Sequence, residues 1–118
     1  MAVSARAISS GEKPVCREIS CIVGSLPDVL QSNCVYDLGE LGADIDFSVL
    51  QFKESPHVQT AELWFSIGTM VPSVTWPTEL IWLNDGEPTF MTMMAYRFVL
   101  RRESNGKLII NLAYEYTL

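Results

Sequence analysis

The pattern of residues 90–118 constrains this chain more than any other feature. Phe90, Met94, Tyr96, Phe98 and Leu100 share one parity, and so do Leu108, Ile110, Leu112, Tyr114, Tyr116 and Leu118. Apolar residues at every second position mark a strand with one buried face. The two runs flank Glu103-Ser104-Asn105-Gly106-Lys107, whose residues favour a tight turn, so the segment reads as an amphipathic β-hairpin. Face matching fixes its register. A two-residue Asn-Gly turn would pair Ser104 with Lys107 and send the two apolar rows to opposite faces. A three-residue Ser-Asn-Gly loop, with Gly106 left-handed, pairs Glu103 with Lys107 and aligns Leu100 with Ile110, Phe98 with Leu112 and Tyr96 with Tyr114. The second register is predicted, with Arg97 beside Ala113 on the other face.

Further strand signals lie upstream. Residues 15–23 carry Val15, Ile19, Cys21 and Val23 on one parity, and Ala61, Leu63, Phe65 and Ile67 form an apolar row opposite Thr60, Glu62, Trp64 and Ser66. Ile45, Phe47 and Val49 alternate with polar residues before Leu50 and Phe52 switch parity, which predicts a strand with a bulge near Val49. Residues 80–83 read as a short strand. Residues 37–44, with two glycines and acidic side chains, read as a loop, as does 68–77 with Pro72 and Pro77. Ser25, Pro27 and Asp28 carry helix-start chemistry and predict one short helix near residues 26–32. The expectation is an all-β fold: a mainly antiparallel β-sandwich or partly open barrel of about six strands, with residues 1–13 a flexible leader and 14–118 a single domain.

Composition narrows the function. With 118 residues, 48% of them apolar and 19% charged, the chain is large enough for one core and too apolar for disorder. No run approaches the roughly 18 apolar residues of a membrane span, and residues 1–14 lack the apolar stretch of a secretory signal, so a cytoplasmic protein without membrane contact is expected. Cys16, Cys21 and Cys34 are odd in number and irregularly spaced, and read as reduced and buried. The net charge of −6 is unevenly spread. From Asp28 to Glu87, ten acids face Lys53 alone, a local balance of −9, whereas Arg97, Arg101, Arg102 and Lys107 against Glu103 give +3 between positions 97 and 107. Such a field disfavours direct nucleic-acid binding and favours a basic protein partner. It also leaves room for a homo-oligomer in which the basic hairpin of one copy meets the acidic middle of another.

Chemical machinery is sparse. The only histidine, His57, sits in a turn-like Ser-Pro-His with no partner at a recognised spacing. Asp44 and Asp46 lack the oxygen ligands and glycine that a calcium loop needs after them. Gly39-Glu40-Leu41-Gly42 places acids where a phosphate loop needs donors. No catalytic residue, metal site or cofactor is therefore assigned. Trp76, between Thr75 and Pro77, is the tryptophan expected in an exposed loop, where an aromatic often anchors an interface. Met91 and Met93 lie opposite the hairpin's apolar row, as an exposed patch or a second buried layer. These readings predict a non-enzymatic protein-binding module, a small acidic inhibitor of the immunity-protein or antitoxin type, that neutralises a basic partner through Trp76, Asp44, Asp46, Glu40 and Trp64. The alternatives are a β-barrel small-molecule-binding protein or enzyme with a cavity lined by tryptophans and methionines, and a viral or phage structural subunit.

Overall fold

The C-terminal hairpin forms with the turn its sequence dictates. A computed structural model gives the fold over residues 5–7, 21–84 and 86–118, with side chains described from residue 24 onward. Among them the chain forms β1 (Ala5–Ala7), β2 (Cys21–Val23), β3 (Cys34–Leu41), β4 (Ile45–Asp46), β5 (Gln59–Ile67), β6 (Val74–Thr75), β7 (Ile81–Trp82), β8 (Met94–Arg102) and β9 (Leu108–Thr117). Between β8 and β9 the Glu103 N–H donates to the Lys107 carbonyl at 2.8 Å, the Gly106 N–H to the Glu103 carbonyl at 2.9 Å, and Gly106 has φ +91°. Leu100 faces Ile110 and Phe98 faces Leu112, as expected. The register then slips by one residue: Arg97 pairs with Tyr114 and Tyr96 with Glu115, replacing the expected pairs of Tyr96 with Tyr114 and Arg97 with Ala113. A one-residue slip sends side chains to the other face, so Tyr114 and Tyr116 leave the apolar row and join Arg97.

The all-β expectation holds, with more strands than foreseen and mixed pairing. The main sheet runs β1-β9-β8-β5-β3-β2, with β7 beside β9, while β4 and β6 form a second, two-stranded sheet. From β1 through β9 and β8 to β5 the neighbours are antiparallel. From β5 to β3 to β2 they are parallel. A parallel pair needs a connection that crosses a face of the sheet, and here residues 42–58 make that crossing without a helix. The inner face carries Ala61, Leu63, Phe65 and Ile67 of β5 and Tyr96, Phe98 and Leu100 of β8, all buried. Phe47, Leu50 and Phe52 from the crossing, and Trp76 from the connection between β5 and β8, complete the same core. The two connections are tied together by β4 and β6.

Several local expectations are corrected. No helix forms at 26–32; Leu30 instead bridges Phe52, donates its N–H to the Gln51 carbonyl at 2.8 Å and is buried. A start signal followed by so few apolar residues does not repay helix nucleation, whereas burying Leu30 in the core does. Residues 37–41, expected in a loop, belong to β3, whose irregularity between Asp37 and Glu40 is absorbed by Gly39 at φ +65°. Phe47, Leu50 and Phe52 all reach the core because a turn, with the Leu50 N–H on the Phe47 carbonyl at 3.0 Å, follows β4 in place of a bulged strand. Cys34 is buried, as expected, but disulfide-bonded rather than reduced. Of the strand expected at 15–23, positions 21–23 form β2 and the rest lie outside the described residues. Within the expected leader Ala5–Ala7 pair with β9, and its other residues are likewise outside.

Trp76 is also corrected. Its side chain is only 8% exposed, with ring centroids 4.9 Å from Phe47, 5.0 Å from Trp82 and 5.5 Å from Phe98. The connection carrying it folds down onto the inner face, so a position between loop residues becomes a core position. Removing such a ring costs about 3–5 kcal/mol of stability, and the side chain presents little surface to a partner.

Candidate functional site

Four strands meet at one end of the main sheet. Leu41 of β3 pairs with Ile67 of β5, Ile67 with Met94 of β8, and Met94 with Thr117 of β9. The turns beyond these positions therefore share one surface, although they are far apart in sequence. On it stand Met70, 79% exposed, and Met91, 61% exposed, with Val71, Met93 and Leu118 also exposed. A lone exposed apolar side chain is ordinary, but a cluster of them on one end marks an interaction surface.

This apolar cluster is held by its backbone. The Met93 N–H donates to the Ile67 and Gly68 carbonyls, both at 3.0 Å, and the Met93 carbonyl accepts from the Leu118 N–H at 3.0 Å. The Met91 N–H donates to the Tyr96 hydroxyl at 2.8 Å. Burial pushes the Tyr96 phenol above its ordinary pKa, opposed only in part by that bond. Met93 has φ +60°. Among described non-glycine residues only Asn33 and Asn84 share that left-handed region, and asparagine tolerates it far better than methionine. Strain of this kind persists where surrounding bonds over-determine it, and it gathers at binding sites.

The acids flank the same end. Glu40 is exposed on β3, its carboxylate lying against Gly68, where a Cβ would come within 2.6 Å of its Oε2. Asp44 is exposed, and its Oδ1 accepts the Ser73 N–H at 2.8 Å, joining the turn after β3 to the turn after β5. Asp46 follows on β4; hydrogen bonds from Ser48 hold its carboxyl below the usual range. Of the five predicted residues, Glu40 and Asp44 are both placed beside the turn after β5, by Gly68 and Ser73, and Asp46 pairs with Thr75 farther along the same connection. Trp76 lies in the core. Trp64 stands apart, half-buried on the outer face of the sheet, its indole N–H donating to Glu62 at 2.8 Å.

Met70, Val71 and Leu118 escaped sequence reasoning because nothing local marks them; only the strand register gathers them. Trp76 and Trp82 pack against Phe98, and the outermost methionines face away from the core. A groove of about 540 Å³ does lie near the hairpin turn, lined by Ser48, Leu50, Thr78, Glu79, Leu80 and Lys107 among others. His57 is exposed, in a turn closed by its N–H on Ser55 Oγ. Among the described residues no group of three or more His, Cys, Asp or Glu side chains is placed to hold a metal, and no helix is long and apolar enough to cross a membrane. Compared with protein-family models, curated proteins and solved structures, the chain has no significant match in any of the three.

Proposed function

We propose that this chain is a non-enzymatic protein-binding module, a small acidic inhibitor of the immunity-protein or antitoxin type, and that it receives a basic partner on the end of the sheet described above. The observation that carries this reading is the juxtaposition of Glu40 and Asp44 with the exposed Met70 and with Met91 and Met93, both exposed and held by backbone hydrogen bonds. An apolar centre supplies buried area, flexible methionines adapt to the opposing surface, and a carboxylate rim steers a cationic partner into place. Trp76 leaves the proposed surface, and Trp64 lies outside it.

The test begins with the partner that co-purifies with the native protein, its affinity then being measured for Glu40→Lys/Asp44→Lys. Charge reversal on the rim is expected to slow association and weaken binding roughly tenfold or more, an effect that rising salt reproduces in the unaltered protein. Unchanged affinity and salt response in the double variant would sink this surface. The cytoplasmic location belongs to the same proposal, but the bonded Cys34 speaks for an oxidising compartment. Counting alkylatable thiols in protein taken directly from cells decides between the two.

A further inference from the structure

On the outer face of the main sheet, Arg97 is fixed between aromatic rings. It pairs with Trp64 of β5 on one side and Tyr114 of β9 on the other. Its guanidinium carbon lies 3.9 Å from the centroid of the Trp64 ring and 5.5 Å from that of Tyr116. Trp64 is itself fixed, because its indole N–H donates to Glu62, and Glu62 is only 3% exposed. Two strand registers, two ring contacts and one hydrogen bond thus hold the guanidinium in place before any ligand arrives.

The rings satisfy its face but not its edge. Among the described residues no carboxylate or carbonyl accepts a hydrogen bond from Arg97, in contrast to Arg102, whose Nη1 donates to the Ser55 carbonyl at 2.8 Å. Arg97 and both of its rings line a cavity of about 150 Å³, together with Asp37, Ser66 and Leu118. That volume is comparable with the roughly 150 Å³ known to hold a benzene-sized molecule. A guanidinium fork matches a carboxylate in geometry, two parallel N–H donors meeting two oxygens. Asp37 in the same cavity sets the limit on charge: it repels a dianion such as a phosphate monoester more strongly than a singly charged acid.

We infer that the pocket formed by Arg97, Trp64 and Tyr116 binds a small monocarboxylate, the carboxylate on the Arg97 fork and a short apolar or aromatic body filling the remaining cavity. The pocket borders the proposed partner surface at Leu118, but Glu40, Asp44 and the exposed methionines do not line it, so charge reversal at Glu40 and Asp44 tests one assignment and substitution of Arg97 tests the other.

The test is a side-chain NMR titration of the full chain with sodium acetate and sodium benzoate, at constant pH and with sodium chloride holding ionic strength constant. The Arg97 Nε–H and Trp64 indole Nε1–H signals should shift together and saturate. The saturable shift should vanish in Arg97→Met, which keeps an apolar side chain over Trp64. In Arg97→Lys, which keeps the charge and loses the fork, binding should weaken about tenfold. If Arg97→Met does not fold, the lysine variant carries the comparison alone. Shifts that stay linear to the highest concentration, or saturation that persists at equal affinity in the lysine variant, would overturn the inference.

Discussion

The two ends of the main sheet handle the same backbone problem in opposite ways. At the hairpin turn the chain must adopt a left-handed conformation and places Gly106 there, at φ +91°. At the other end, about 27 Å away along β5 at roughly 3.4 Å per residue, it adopts that conformation at Met93, with φ +60°. Glycine takes the left-handed region without steric cost, whereas another L-residue gives up roughly 1–2 kcal/mol. The charges differ as well. Arg101 is within 3.2 Å of Glu103 and Arg102 donates to the Ser55 carbonyl, so the two cations nearest the turn on β8 are held within their own chain. Glu40 and Asp44 have no cationic partner among the described residues. One end is built to close a strand pair, the other to display side chains at a cost in strain, which is why the partner surface is assigned to the second.

Four substitutions test this contrast, and urea unfolding reads the stability change in each. The largest effect is expected at Gly106→Ala. A Cβ there meets nothing closer than Arg102 Nη2 at 3.6 Å, so the loss of about 1–2 kcal/mol comes from φ alone; an unchanged midpoint would remove the conformational argument for this turn. Tyr96→Phe comes next. Deleting the hydroxyl that accepts the Met91 N–H should cost about 0.5–1.5 kcal/mol and speed amide exchange at Met91.

The same tyrosine gives the pH dependence. Because burial raises its folded-state pKa, the unfolded chain releases this proton first, near pH 10. The neutral phenol's contribution is thus fully present below that pH and is lost as pH rises from there toward the folded-state value. Tyr96→Phe should flatten that alkaline decline.

Met93→Gly should act in the opposite direction on stability. Relief of left-handed strain is offset in part by the greater freedom of the unfolded chain, leaving a gain of less than about 1 kcal/mol, while partner binding weakens. A stabilised variant with undiminished binding would show that the strain serves no interface. The smallest effect is expected at Arg101→Ala. Arg101 and Glu103 are 46% and 32% exposed, and an ion pair so open to solvent contributes below about 0.5 kcal/mol.

How much of this was legible depended on how local its cause was. The hairpin turn was legible, since Asn105 and Gly106 specify it and the apolar rows fix its register as far as Phe98 and Leu112. The slip beyond them was not, because Ala113 carries no mark of an extra residue. Ser25, Pro27 and Asp28 gave a sound local argument for a helix that lost to the burial of Leu30. Trp76 misled because its neighbours in sequence resemble a loop, whereas its burial follows from where the whole connection folds. For the site, the acids were visible and their grouping was not.

Local sequence alone makes this chain all-β, gives β5 and β8 a buried apolar face, and turns the hairpin at Gly106. Those features arise from side-chain parity and from the φ preferences of single residues, which act over a few positions. Long-range strand pairing, by contrast, sets Leu41, Ile67, Met94 and Thr117 side by side, bringing Glu40 and Asp44 to the exposed methionines and laying Arg97 over Trp64. The reason is that pairing between distant strands is selected by the burial of the whole inner face, a sum over the molecule that no short stretch of it contains.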